Sequence, residues 1–137
     1  MDRKWPFDAS VLAAAAFAVC GFLSVTSVFA AEPWPTRSVR VIVPHPAGGS
    51  VDAVARMVTR KLADVLGKPF VVENRGGAAG NIGAAEVARA ASDGYTLLLA
   101  SPGPIATNSF LYKDMGYDPA RWVPIALLAT GPYVLVL

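Results

Sequence analysis

The sequence predicts an α/β fold: a parallel sheet with helices packed against it. Three observations carry that expectation. Short apolar runs recur at residues 39–43, 70–72 and 95–100, the first two of them valine-rich, as suits strands. Between the runs lie stretches with apolar residues at helical spacing, or with helix-favouring alanine. The runs open at their carboxyl ends into loops of small residues and proline. Strands alternating with helices give parallel neighbours joined by right-handed crossovers.

The chain of 137 residues opens on a segment with a different purpose. Arg3 and Lys4 precede an almost unbroken apolar stretch over residues 11–25, and Val28, Phe29 and Ala30 follow. A basic start, an apolar core and small or tolerated residues at the −3 and −1 positions predict a secretory signal peptide over residues 1–30. Cleavage is expected between Ala30 and Ala31. A membrane anchor is the alternative, but the stretch is short for a span and the helix-breaking EPWP follows at once. A lipoprotein signal at Cys20 is disfavoured by Val19, where a small residue belongs. Cleavage removes Cys20, the only cysteine, leaving no thiol for a disulfide or a metal site. Asp2, Arg3, Lys4 and Asp8 leave together, so the net charge stays at +2. The remaining basic residues are scattered, which argues against a nucleic-acid surface.

Residues 32–38 are a polar lead-in. The first strand, VRVIV at 39–43, stops at Pro44 and Pro46, because proline cannot donate to a sheet ladder. Gly48 and Gly49 follow, then Ser50, read as a helix N-cap, and Asp52, placed where the helix dipole favours negative charge. Val51, Val54, Ala55, Val58, Leu62, Val65 and Leu66 form one helical stripe, and Gly67 suits the left-handed position that ends a helix. Residues 70–72 form the second strand. The loop ENRGGAAGNIG at 73–83 holds four glycines, and Asn81 is read as the next N-cap. An alanine-rich helix is expected to residue 91, a turn at 92–94, and a third strand at 95–100. Ser101, Pro102, Gly103 and Pro104 make a third loop. A short helix at 105–112, an irregular connection at 113–124, and two further strands at 125–129 and 133–137 complete the expectation.

The loops after the first three strands lie at carboxyl ends of parallel strands, the edge where open α/β sheets bind ligands. Helix N-termini there offer bare N–H groups to an anion. His45 is the only histidine, so neither a Ser-His-Asp triad nor a histidine metal cluster is available. It either hydrogen-bonds a ligand carboxylate or is a solvated loop side chain. Asp52 is a candidate base whose place also suits a structural role. Arg75 can meet an anion or pair with Glu73. Gly77, Gly80 and Gly83 are spaced by threes, so no G-x-G-x-x-G is present, nor a Walker A lysine or a G-x-S-x-G elbow.

WPTRSVRVIVPHPAGGSVDAVAR, then GKPFVVENRGGAAGNIGAAEVARAASDGYTLLLAS, then NSFLY and GYDP resemble the Bug-type, TctC-like receptors of tripartite tricarboxylate transporters. The resemblance runs over residues 34–137. It implies two α/β lobes closing on a ligand like a flytrap, of which residues 31–137 form the amino-terminal portion of the first. It implies a periplasmic receptor without cofactor or catalysis. Such a receptor delivers a small di- or tricarboxylate to membrane permease subunits. The site it implies takes in Ala47, Gly48, Gly49, Ser50, Asn81 and Ser101, to which His45 and Asp52 are added from the reading of the first loop. His45 stands where the family commonly has an aromatic residue, Ala47 where proline is common, and Pro102 and Pro104 where small polar residues are usual. Two other readings stand beside it: a truncated, non-functional piece of such a receptor, and an α/β enzyme acting on a small anion.

Overall fold

The computed structural model describes residues 33–131 and Leu135. The expected signal peptide, its cleavage point at Ala30 and Ala31, and most of the strand expected at 133–137 lie outside the described residues. The elements are β1 (Val39–Val43), α1 (Ser50–Leu66), β2 (Phe70–Asn74), α2 (Asn81–Ala88), β3 (Thr96–Leu98) and α3 (Asn108–Leu111). A 3₁₀ turn at Ala78–Gly80 leads into α2, and a π turn at Gly103–Thr107 leads into α3.

The three strands form one parallel sheet in the order β2-β1-β3. Val39 pairs with Phe70 and Ile42 with Glu73 on one side; Arg40 pairs with Thr96 and Ile42 with Leu98 on the other. A central strand covered on both faces has to be apolar throughout, as VRVIV nearly is. Val39, Ile42 and Val43 are fully buried and Val41 almost so.

Alternation along the strands divides the contacts between the two faces. Asn74 shares a face with Val41 and Val43 and bonds to Asp52 on α1. Arg40 shares the other face with Ile42 and Glu73 and pairs with Glu86 on α2. The helices therefore cover opposite faces, as right-handed crossovers to opposite sides of β1 require.

Arg40 is the one charged residue of β1, and it is neutralised twice. Its guanidinium lies 2.8 Å from Glu73 and 2.7 Å from Glu86. Arg75 joins the cluster, at 3.0 Å from Glu73 and 3.3 Å from Glu86. The Arg40 guanidinium holds the Glu73 carboxyl below its ordinary range.

Gly67 adopts the left-handed conformation, φ 68°, and its N–H closes α1 on Ala63 O, as the sequence predicts. The inward face of the helix largely follows the expected stripe: Ala55 is buried and Val51, Val54, Val58, Leu62 and Leu66 are half-buried. Its buried positions are Asp52, Ala55 and Thr59, while Val65 is 68% exposed. At 100° per residue, Val65 falls well away from the direction that those three share. The other helix stops at Ala88 rather than 91, and β3 is three residues long. One hydrogen bond on either side, Arg40 N–H to Tyr95 O and Leu99 N–H to Ile42 O, extends the pairing of β3.

The expected strand at 125–129 does not form. Those residues carry no regular structure and are exposed. A strand needs a ladder partner, and none is present among the described residues.

Candidate functional site

Three loops meet at the carboxyl edge of the sheet: residues 44–49 after β1, 75–80 after β2 and 99–102 after β3. The first and third are joined by His45 Nε2 and Ser101 Oγ, 3.0 Å apart. The second is pressed against both. A Cβ on Gly80 would lie 2.6 Å from Pro104 Cγ and 3.3 Å from Pro44 O, so only glycine allows this approach. The sequence reading that these loops share one edge holds.

The first loop is shaped by Asp52. This carboxylate is buried at the start of α1 and reaches back to accept the Gly48 N–H at 2.9 Å. The same oxygen accepts from Arg56 at 3.0 Å, and the other accepts from Asn74 Nδ2 at 3.0 Å. Asn74 also donates to His45 O at 3.1 Å. Arg56, then the Gly48 N–H, then Asn74 hold the Asp52 carboxyl down to about 2.

The helix starts one residue earlier than the sequence predicts. Gly49, not Ser50, is the N-cap residue, extended at φ −77° and ψ 171°, and no side chain caps the helix. Ser50 is the first helical residue and is exposed. Asp52 meanwhile takes the Gly48 N–H, on the residue just before the cap. The first-turn N–H groups of a 17-residue helix are thus left facing the loop without a side-chain acceptor.

The second loop is strained. Gly77, Ala78, Ala79 and Gly80 have φ of 121°, 46°, 53° and 94°, four positive-φ residues in succession. An L-residue in that region costs about 1–2 kcal/mol. The run is held from outside by Asn108, whose amide donates to Ala79 O at 3.1 Å and to Asn81 Oδ1 at 2.6 Å. The Tyr117 hydroxyl lies 3.0 Å from that Asn81 oxygen and 2.8 Å from Pro104 O. Burial pushes the Tyr117 phenol up. Asn81 is not the N-cap either. Gly80 holds that position, and the Asn81 oxygen faces Asn108 and Tyr117 instead.

Of the sequence-predicted residues, His45 and Ser101 are half-buried and face one another, while Ala47, Gly48, Gly49 and Ser50 line the exposed rim of the first loop. Asp52 and Asn81 are buried, with their side-chain oxygens engaged within the protein. Arg75 is occupied by Glu73 and Glu86. Asn74, Asn108 and Tyr117 were not singled out by the sequence. A lone asparagine at a strand end or after a proline loop gives no local signal of a partner about 30 positions away. Among the described residues no group of His, Cys, Asp and Glu is arranged to hold a metal ion.

The family model described as the tripartite tricarboxylate transporter family receptor matches residues 54–137. Protein BugT of Bordetella pertussis is 42% identical over 125 residues, which is 87% of this chain and 38% of BugT. The solved structure of the periplasmic binding protein BugD is 48% identical with a TM-score of 0.60, over 63% of this chain and 28% of BugD. Two Rhodopseudomonas palustris proteins show the same likeness. Rpa4515, solved with adipate, is 47% identical with a TM-score of 0.62, covering 64% of this chain and 29% of that one. MatC, solved with malate, is 41% identical with a TM-score of 0.60, covering 63% and 29%. The chain thus spans about a third of the length of the relatives it matches. With these identities and a family match over more than half its residues, the chain belongs to the tripartite tricarboxylate transporter receptor family.

Proposed function

We propose that this protein is a periplasmic receptor that captures a small di- or tricarboxylate and passes it to the permease subunits of a tripartite tricarboxylate transporter, without transforming it. The observation that carries the reading is the uncapped amino end of α1, set in an exposed glycine loop beside the His45–Ser101 pair. Backbone N–H groups at a helix start are suited to a carboxylate oxygen. Adipate and malate in the two related structures support the ligand class.

In this reading Gly49 and Ser50 supply N–H groups, and Ala47 and Gly48 keep the rim open. His45 and Ser101 supply side-chain donors. Asp52 and Asn81 hold the loops in shape and do not touch the ligand. Arg75 stays in its ion-pair cluster, so backbone donors dominate over a guanidinium clamp.

Amide spectra of the ¹⁵N-labelled protein, titrated with adipate, malate and citrate, test the reading and detect even millimolar binding. The Gly49 and Ser50 signals should move saturably with at least one acid, and the acid should remain unchanged. Gly49→Val should weaken binding more than Arg75→Ala, because a branched side chain blocks approach to the backbone. The reverse order in two folded variants would reject the backbone model.

A further inference from the structure

β2 is an outer strand of the sheet and is paired on one side only. Its ladder with β1 opens with Val39 N–H to Pro69 O and closes with Arg75 N–H to Val43 O. Residues 69, 71, 73 and 75 therefore turn their backbone groups toward β1. The N–H and C=O groups of Phe70, Val72 and Asn74 point the other way, and they have no hydrogen-bond partner among the described residues. Natural sheets block such an edge with a bulge, a proline, a charge or a very short strand. The five residues of β2 pair without a bulge and include no proline. Their one charged side chain, Glu73, lies on the face that α2 covers and is paired with Arg40.

A groove lies beside this edge on the other face. Thr59 and Ala63 of α1 line it with Phe70 and Val72 of β2, and so do Arg56 and Arg60. Arg60 is exposed and makes no ion pair among the described residues. Arg56 engages Asp52 through Nε and Asn74 through Nη2, which leaves Nη1 without a partner there.

We propose that the free edge of β2 and this groove form a docking site for an extended acidic segment of a partner protein, which adds to the sheet as a fourth strand and sets carboxylates on Arg56 and Arg60. Charge and spacing select that occupant. The two arginines are four residues apart on α1, about 6 Å along the axis. Alternate residues of a strand share a face and are about 6.5 Å apart. Acidic residues at every second position thus bring one carboxylate to each arginine, and a guanidinium takes a carboxylate with two hydrogen bonds. The side chains between them fall on the opposite face, beside Val71, which is 45% exposed, and apolar residues suit them. Neither His45 nor the Gly49 amide takes part, so this inference stands apart from the carboxylate reading.

The probe is a short synthetic peptide of alternating glutamate and valine, titrated into the full ¹⁵N-labelled chain at low salt, where surface charge is least screened. The Phe70, Val72 and Asn74 amides should shift and exchange more slowly with solvent, while those of Val71 and Glu73, already bonded to β1, should keep their exchange rates. Arg60→Ala should weaken binding about two- to fivefold, the range of an exposed ion pair, and Arg60→Glu should weaken it further. A peptide with lysine in place of glutamate should not bind. Nor should the parent peptide methylated at alternate backbone nitrogens, on the edge that would meet β2. Equal binding of either control, unchanged affinity in both Arg60 variants, or no binding at millimolar peptide would overturn the proposal. Shifts confined to α1, with the Val72 amide unmoved, would overturn it too, because they show attraction to the arginines without strand addition. Slow exchange of the outward amides before any peptide is added would mean that a second copy of the chain holds the edge, which overturns the acidic occupant.

Discussion

Asp52 illustrates how one side chain fixes a loop. Its two oxygens accept from Gly48, Arg56 and Asn74, so it joins the start of α1 to the loop before it and to the end of β2. Its carboxyl is held at about 2, below the ordinary value near 4. A group whose folded value is depressed contributes stability above its unfolded value, and that contribution is lost as pH falls through the folded one. The part of stability owed to Asp52 should therefore be complete above about pH 4 and disappear between there and about pH 2. Urea unfolding at pH 6, 4 and 2.5 should show wild type losing more stability in that window than Asp52→Asn. Identical losses would show that the ion pair and hydrogen bonds contribute nothing. The sequence placed Asp52 correctly in the first turn, but not its partners. Nothing local to Ser50 shows that an aspartate two residues on will take the Gly48 N–H or that Gly49 will be the cap.

The helix α2 shows the same limit at the scale of an element. Its alanine content made a closely packed helix legible, and Gly83, Ala84 and Ala85 are indeed buried. The need for glycine at 83 comes from the first residues of the loops after β1 and β2. A Cβ there would sit 2.6 Å from Arg75 O and 3.0 Å from Pro44 Cβ. The contact at Arg75 is with backbone, which cannot swing away, so Gly83→Ala must push α2 off the sheet. We expect a loss of about 1–3 kcal/mol, as for other overpacked core sites. Chemical denaturation should show a lower midpoint at unchanged slope. A midpoint within error of wild type would mean that α2 shifts freely and that the close approach has no energetic role. The left-handed run at Ala78 and Ala79 was legible only as a glycine-rich loop, since alanine gives no sign of positive φ.

At the scale of the whole molecule, the described core is one buried strand between two half-buried ones, with a helix on each face. Val123, Ile125 and Leu127 are 85%, 79% and 83% exposed, because an apolar run becomes a strand only beside another strand. For the full chain, export predicts that protein recovered from the cell envelope begins at Ala31. Mass spectrometry of that pool would settle the point, and retention of Met1 would reject cleavage. By itself, the sequence determined the α/β class, the order of its first five elements and the edge where the loops gather. These follow from periodicity, proline and glycine, which act within a few residues. Tertiary structure alone decided the burial of Asp52 and Thr59 on α1, the two displaced caps, the Arg40–Glu73–Glu86–Arg75 cluster and the His45–Ser101 bond. Each of those depends on groups brought together from distant positions, and hydrogen-bond geometry, not local propensity, chooses among the partners available.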